Sequence, residues 1–78
     1  MQATIKKQYI HLVGDSGMVH NIFSSRKGIR VVTRNPIRGI KTVARKINAN
    51  VYSDRVVSYC LDQESAMKII QKYEKFAA

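Results

Sequence analysis

Along residues 8–13 an apolar, β-prone run (Tyr9, Ile10, Leu12, Val13) ends in Gly14, Asp15, Ser16 and Gly17, which is the composition of a turn. The pattern predicts a strand and a tight reversal. Residues 18–23 set Val19, Asn21 and Phe23 against Met18, His20 and Ile22, and Ser24, Ser25, Arg26, Lys27 and Gly28 close this second strand with a hairpin loop. Residues 29–34 continue the alternation, with Ile29, Val31 and Thr33 on one face and Arg30, Val32 and Arg34 on the other, so the third strand is half basic. Asn35 and Pro36 then start a helix, because an Asn side chain can accept from free N–H groups and proline suits the first helical position, where no donor is needed.

That helix is expected over residues 36–47 or 36–49. Ile37, Ile40, Val43, Ala44 and Ile47 fall within one arc, while Arg38, Lys41 and Arg45 stack on the opposite side. Gly39 weakens it by up to about 1 kcal/mol relative to Ala; the pattern alone gives no account of it, and close packing against a strand is one reason among those open. Residues 51–61 form a fourth strand, clearest from Val56, with Val57, Tyr59 and Leu61 alternating with Ser58 and Cys60. Asp62 caps a second helix whose apolar stripe is Ala66, Ile69, Ile70, Tyr73 and Phe76. The expected fold is α+β, in the order β-β-β-α-β-α: one mainly antiparallel sheet with two helices packed on one face, and the other face solvated or used.

A length of 78 residues makes this a single domain, 1–78, with a thin core, since so short a chain buries only about 60–65% of its unfolded surface. Cores of this size are often completed by a second copy, and a homodimer is expected. The one cysteine, Cys60, can form no disulfide within the chain and belongs to no zinc quartet, which points to a reducing, cytoplasmic setting with no metal and no cofactor. No apolar run has the length of a signal peptide or a membrane span.

Charge changes the picture more than length does. The net charge is +9, and residues 26–46 alone carry +8, on Arg26, Lys27, Arg30, Arg34, Arg38, Lys41, Arg45 and Lys46. No carboxylate occurs between Asp15 and Asp54. An ordinary solvated face mixes signs to limit self-repulsion, so an unbroken cationic stretch points to a polyanionic partner. Five of the eight are arginines, whose forked guanidinium matches phosphate oxygens in pairs. Since no aromatic lies between Ser24 and Val51, contact is expected mainly with phosphates, through shape more than sequence. Tyr9, Tyr52 and Tyr59 are expected to pack on the core or its rim rather than to stack bases.

Two catalytic patterns give way to plainer readings. Gly14-Asp15-Ser16-Gly17 spells the tetrapeptide around the nucleophile of trypsin-like serine proteases, but a chain this short cannot hold their two barrels, and a turn explains the same residues. His11 and His20 flank that turn and could serve a small ribonuclease as acid and base, yet nothing else supports such a site. They are read as satisfied or exposed strand histidines, and Cys60 as a small buried residue. The chain is therefore read as a non-enzymatic nucleic-acid-binding protein, with RNA favoured over DNA because no helix-turn-helix or zinc pattern is present. Three strands followed by a basic helix resemble, in architecture alone, the later part of double-stranded-RNA-binding domains; their first helix is missing here. The alternative is a small regulator or inhibitor that docks on an acidic, nucleic-acid-processing protein such as a ribonuclease, with or without RNA in the complex.

Overall fold

Both turn compositions reverse the chain between neighbouring strands, and the sheet that results is an antiparallel meander. The computed structural model describes residues 1–77. Its elements are β1 (Gln2–Ile5), β2 (Ile10–Val13), β3 (Val19–Ser25), β4 (Gly28–Arg34), α1 (Lys41–Lys46), β5 (Arg55–Cys60) and α2 (Gln63–Phe76). Sheet order follows chain order, β1-β2-β3-β4-β5. The α+β class and the antiparallel sheet agree with expectation, but the order is β-β-β-β-α-β-α. The additional strand β1 pairs Thr4 with His11 and Ile5 with Ile10. All four of its residues are exposed, so no buried face imprints a pattern on it.

Register sorts the side chains into two faces. Leu12, His20, Thr33 and Val56 are successive cross-strand partners, as are Ile10, Ile22, Val31 and Ser58. This face is covered by the helices. Leu12, Ile22, Ile29, Val31 and Cys60 pack with Ala66 and Ile70 of α2, while Met18 and Val56 pack with Ile40, Val43 and Ala44 around α1 and with Tyr73. α2 forms as its pattern predicts, with Asp62 accepting from the Ser65 amide at 2.8 Å.

The first helix is much shorter than expected. Asn35 Oδ1 accepts from the amides of Ile37 and Arg38 at 3.1 and 3.0 Å, and the Gly39 amide donates to the Asn35 carbonyl at 2.9 Å. This completes one turn only. Gly39 then takes φ +77°, which leaves the right-handed helical region, and α1 begins after Ile40. A Cβ on Gly39 would meet nothing within 4 Å, so its role is conformational rather than one of close packing. Ile37, placed in the core arc by the longer helix, is 73% exposed instead.

β5 begins at Arg55 rather than at 51, because Tyr52 and Arg55 close a turn through Ser53 at φ +61°. Its apolar set is also inverted: Val56 and Cys60 face the helices, and Val57 and Tyr59 face away. Among the described residues no helix is long and apolar enough to cross a membrane.

Candidate nucleic-acid interface

β4 fixes where its arginines go. Its inner face buries Ile29, Val31 and Thr33, and a period of two then forces Arg30 and Arg34 onto the face away from the helices. Arg26 and Lys27 are not strand residues: Ser25 pairs with Gly28, so these two exposed cations form the β3–β4 reversal itself. The four-residue spacing of Arg26, Arg30 and Arg34 predicts one shared strand face, and the reversal corrects this for Arg26. Arg38 lies in the Asn35 turn, and Lys41, Arg45 and Lys46 are exposed on α1.

The strand and helix groups thus stand on opposite layers. They meet at the end of β4, where Arg34, Arg38 and Lys41 line one groove of about 270 Å³ together with Asp54. Among the described residues the ion pairs are Asp15 with the N-terminus, Asp54 with Arg55 and Glu64 with Lys68, while Glu74 is hydrogen-bonded to His20. None of the eight cations of residues 26–46 takes part. All eight lie outside the core, seven exposed and Arg34 half-buried.

Beside Arg30 the sheet assembles an aromatic row that the linear sequence conceals. Phe23, Arg30 and Tyr59 are direct cross-strand partners on the face away from the helices. The Tyr9 ring stacks on Phe23 with centroids 5.0 Å apart, and the Arg30 guanidinium sits 4.6 Å from the Phe23 centroid. Tyr59 is 81% exposed and Tyr52 is 61% exposed, so neither packs on the core as expected. A cleft of about 460 Å³ opens among Phe23, Lys27, Arg30 and Tyr59. The signal for this row was the loop length: a two-residue reversal at Arg26-Lys27 sets Phe23 against Arg30.

The two histidines occupy opposite faces and share no site. His11 lies on the open face, its Nδ1 2.8 Å from Asn21 Oδ1. His20 is fully buried on the helix side, Nδ1 3.0 Å from Thr33 Oγ1 and Nε2 2.9 Å from Glu74 Oε2. The Glu74 carboxylate also accepts from Ser16 Oγ at 2.7 Å and the Ser16 amide at 3.1 Å. Burial pulls the His20 pKa below its ordinary value, against the hydrogen bond and charge of Glu74. Burial raises that of Glu74, but the hydrogen bonds from Ser16 and His20 together outweigh it and leave the carboxyl below its usual range. A neutral His20 therefore donates from Nε2 to the carboxylate and accepts from the Thr33 hydroxyl at Nδ1.

This cluster has the residue types of a hydrolase triad in the wrong order. The carboxylate stands between serine and imidazole, so the imidazole does not reach the Ser16 hydroxyl as a triad requires. It works as an anchor from α2 to the β2–β3 turn, and Gly14 leaves room for it, since a Cβ there would push the Glu74 carboxylate from its place. Glu74 was missed in the sequence, although a carboxylate near a helix C-terminus opposes the helix dipole and so hints at a partner elsewhere. Cys60 is buried as expected, and burial raises its thiol pKa. Among the described residues no group of three or more His, Cys, Asp or Glu side chains could hold a metal ion. No family model matches the chain, and neither a curated protein nor a solved structure matches it.

Proposed function

We propose that this chain is a small basic nucleic-acid-binding protein, RNA favoured over DNA, that contacts the phosphate backbone through Arg26, Lys27, Arg30, Arg34, Arg38, Lys41, Arg45 and Lys46. The observation that carries this reading is that, among the described residues, none of eight solvent-accessible cations in 21 consecutive residues forms a close ion pair with a carboxylate. Unpaired cations repel one another at a cost in stability, and a phosphate chain supplies the missing counter-charge. The groove shared by Arg34, Arg38 and Lys41 lets one backbone pass from the open sheet face to the helix layer.

The test is a salt-dependent titration of labelled duplex RNA, single-stranded RNA and duplex DNA. Log affinity should fall against log salt with a slope of about −0.7 to −0.9 per phosphate contacted. The double variants Arg30→Ala/Arg34→Ala and Arg38→Ala/Arg45→Ala should each flatten that slope, by about 0.7–0.9 for every contact removed. Absence of binding to all three nucleic acids at moderate salt would overturn the reading. The second reading, a regulator docking on an acidic, nucleic-acid-processing protein, would then take its place; it is favoured by Ile37, an apolar side chain 73% exposed beside Arg38.

A further inference from the structure

We infer that the open sheet face is a base-stacking platform for an unpaired nucleic-acid strand, with Tyr59 and Arg30 as the residues that engage bases and Phe23 as the ring on which Arg30 rests. The inference rests on the nucleic-acid reading above and specifies which form of nucleic acid this surface takes.

The solvent-facing side of an antiparallel sheet is ordinarily polar. Here the registers place Val13, Val32 and Val57 on it, together with Phe23 and Tyr59. It carries Arg30, Arg34 and Arg55, and within the paired strands no Asp or Glu projects from it. An apolar face of this kind could in principle seat a second copy of the chain. Face-to-face pairing would, however, bring together two faces whose charged residues within the paired strands are all cationic, and like charges brought together oppose such docking. A strand of nucleic acid has the complementary pair of properties, flat apolar bases and an anionic backbone.

The geometry favours an unpaired strand over a duplex. In a duplex the base faces are stacked on one another, and a protein meets edges and phosphates. An exposed aromatic ring beside a guanidinium stacks with bases only when they are free. Tyr59 is such a ring: it is 81% exposed, projects from β5 opposite Arg30, and borders the cleft of about 460 Å³ that Phe23 and Arg30 also line. Phe23 already holds the Tyr9 ring at 5.0 Å and the Arg30 guanidinium at 4.6 Å, which places Arg30 beside the free ring of Tyr59. Cations stand at both ends of β4, at the Arg26-Lys27 turn and at Arg34. Four residue steps of strand separate Arg30 from Arg34, about 13 Å at the usual rise, so a backbone laid along β4 meets positive charge repeatedly.

The experiment is fluorescence anisotropy with labelled oligouridine, oligodeoxythymidine and an RNA duplex, using wild type, Tyr59→Ala and Tyr59→Phe. The exposure of Tyr59 makes loss of folding in either variant unexpected, and circular dichroism verifies it. Wild type should bind oligouridine more tightly than the duplex. Tyr59→Ala should weaken oligouridine binding about 5- to 150-fold, the range implied by loss of one base–aromatic stack, and leave the weaker duplex binding unchanged. Tyr59→Phe should restore wild-type affinity. Equal affinity for oligodeoxythymidine would assign the site to unpaired strands in general, and a preference for oligouridine would assign it to RNA; either supports the platform. Duplex bound as tightly as oligouridine, or Tyr59→Ala binding oligouridine like wild type, would overturn this inference while leaving the phosphate-binding reading intact. Failure of wild type to bind any probe would remove both.

Discussion

Replacing Glu74 with alanine tests the anchor between α2 and the β2–β3 turn. The carboxylate accepts three hydrogen bonds, from Ser16 Oγ at 2.7 Å, His20 Nε2 at 2.9 Å and the Ser16 amide at 3.1 Å. Ser16 is half-buried, so water can replace Glu74 there in part. His20 is 0% exposed, and its Nε2–H would be left with no partner. A buried unsatisfied donor costs about 1–3 kcal/mol, and a lost hydrogen bond to a charged group about 1.5–3 kcal/mol. The two overlap on His20, which gives an expected loss of about 3 kcal/mol. Domains of this size lose about 4–8 °C of Tm per kcal/mol. Glu74→Ala should therefore melt about 12–24 °C below wild type by circular dichroism, with Glu74→Gln, which keeps an acceptor for His20, between the two. A Tm for Glu74→Ala within about 4 °C of wild type would refute the claim that this cluster holds the helix to the sheet.

Stability should also fall on acidification, in two stages. Burial holds His20 below its ordinary 6.5, so the unfolded chain takes up that proton first as pH drops, and native stability declines below about 6.5. Glu74 is held below its ordinary 4.5 by its net hydrogen bonding, so a further loss follows below about that value; both effects have the same sign, and a urea midpoint that rose between about pH 7 and about pH 5 would contradict them. Gly39→Ala should cost about 1–2 kcal/mol from the left-handed backbone alone, because no atom lies within 4 Å of the added methyl. Gly39→Asn should lose less in the same urea titration, since Asn visits that conformation more readily.

How much of this was legible depended on whether a residue had a buried face to report. β4 and α2 were readable because apolar residues dominate their inner positions, and the alternation or the stripe follows from that. β1 was invisible because none of its residues is buried. The length of α1 was misjudged at Gly39: the amphipathic arc continues through it, while the backbone does not. The eight cations were read correctly as lying outside the core, but their division between two layers depends on Gly39 and on the Arg26-Lys27 reversal. The aromatic row was hidden for a different reason. Tyr9, Phe23 and Tyr59 are scattered over the chain, and only the registers of three strand pairings bring them to one end of the sheet. The inversion of β5, where Ser58 faces inward and Tyr59 outward, cannot be read from a strand whose two faces are similarly apolar.

The Glu74 contact also bears on how the chain is built during synthesis. Glu74 and Ser16 are 58 residues apart, whereas the β2–β3 and β3–β4 hairpins need only near neighbours. A growing chain can form these hairpins early, when closing a short loop costs little entropy. The imidazole of His20 has Thr33 by then, but it lacks its second partner until residue 74 has been made. The sheet therefore forms first and is locked last, and in the interval Leu12, Ile22 and Val31 present an uncovered apolar face of the kind that drives aggregation. By the time that face exists half of the cations of residues 26–46 have also been made. Their mutual repulsion opposes association of half-built chains at the stage when they are most adhesive, so the same charge protects the nascent fold.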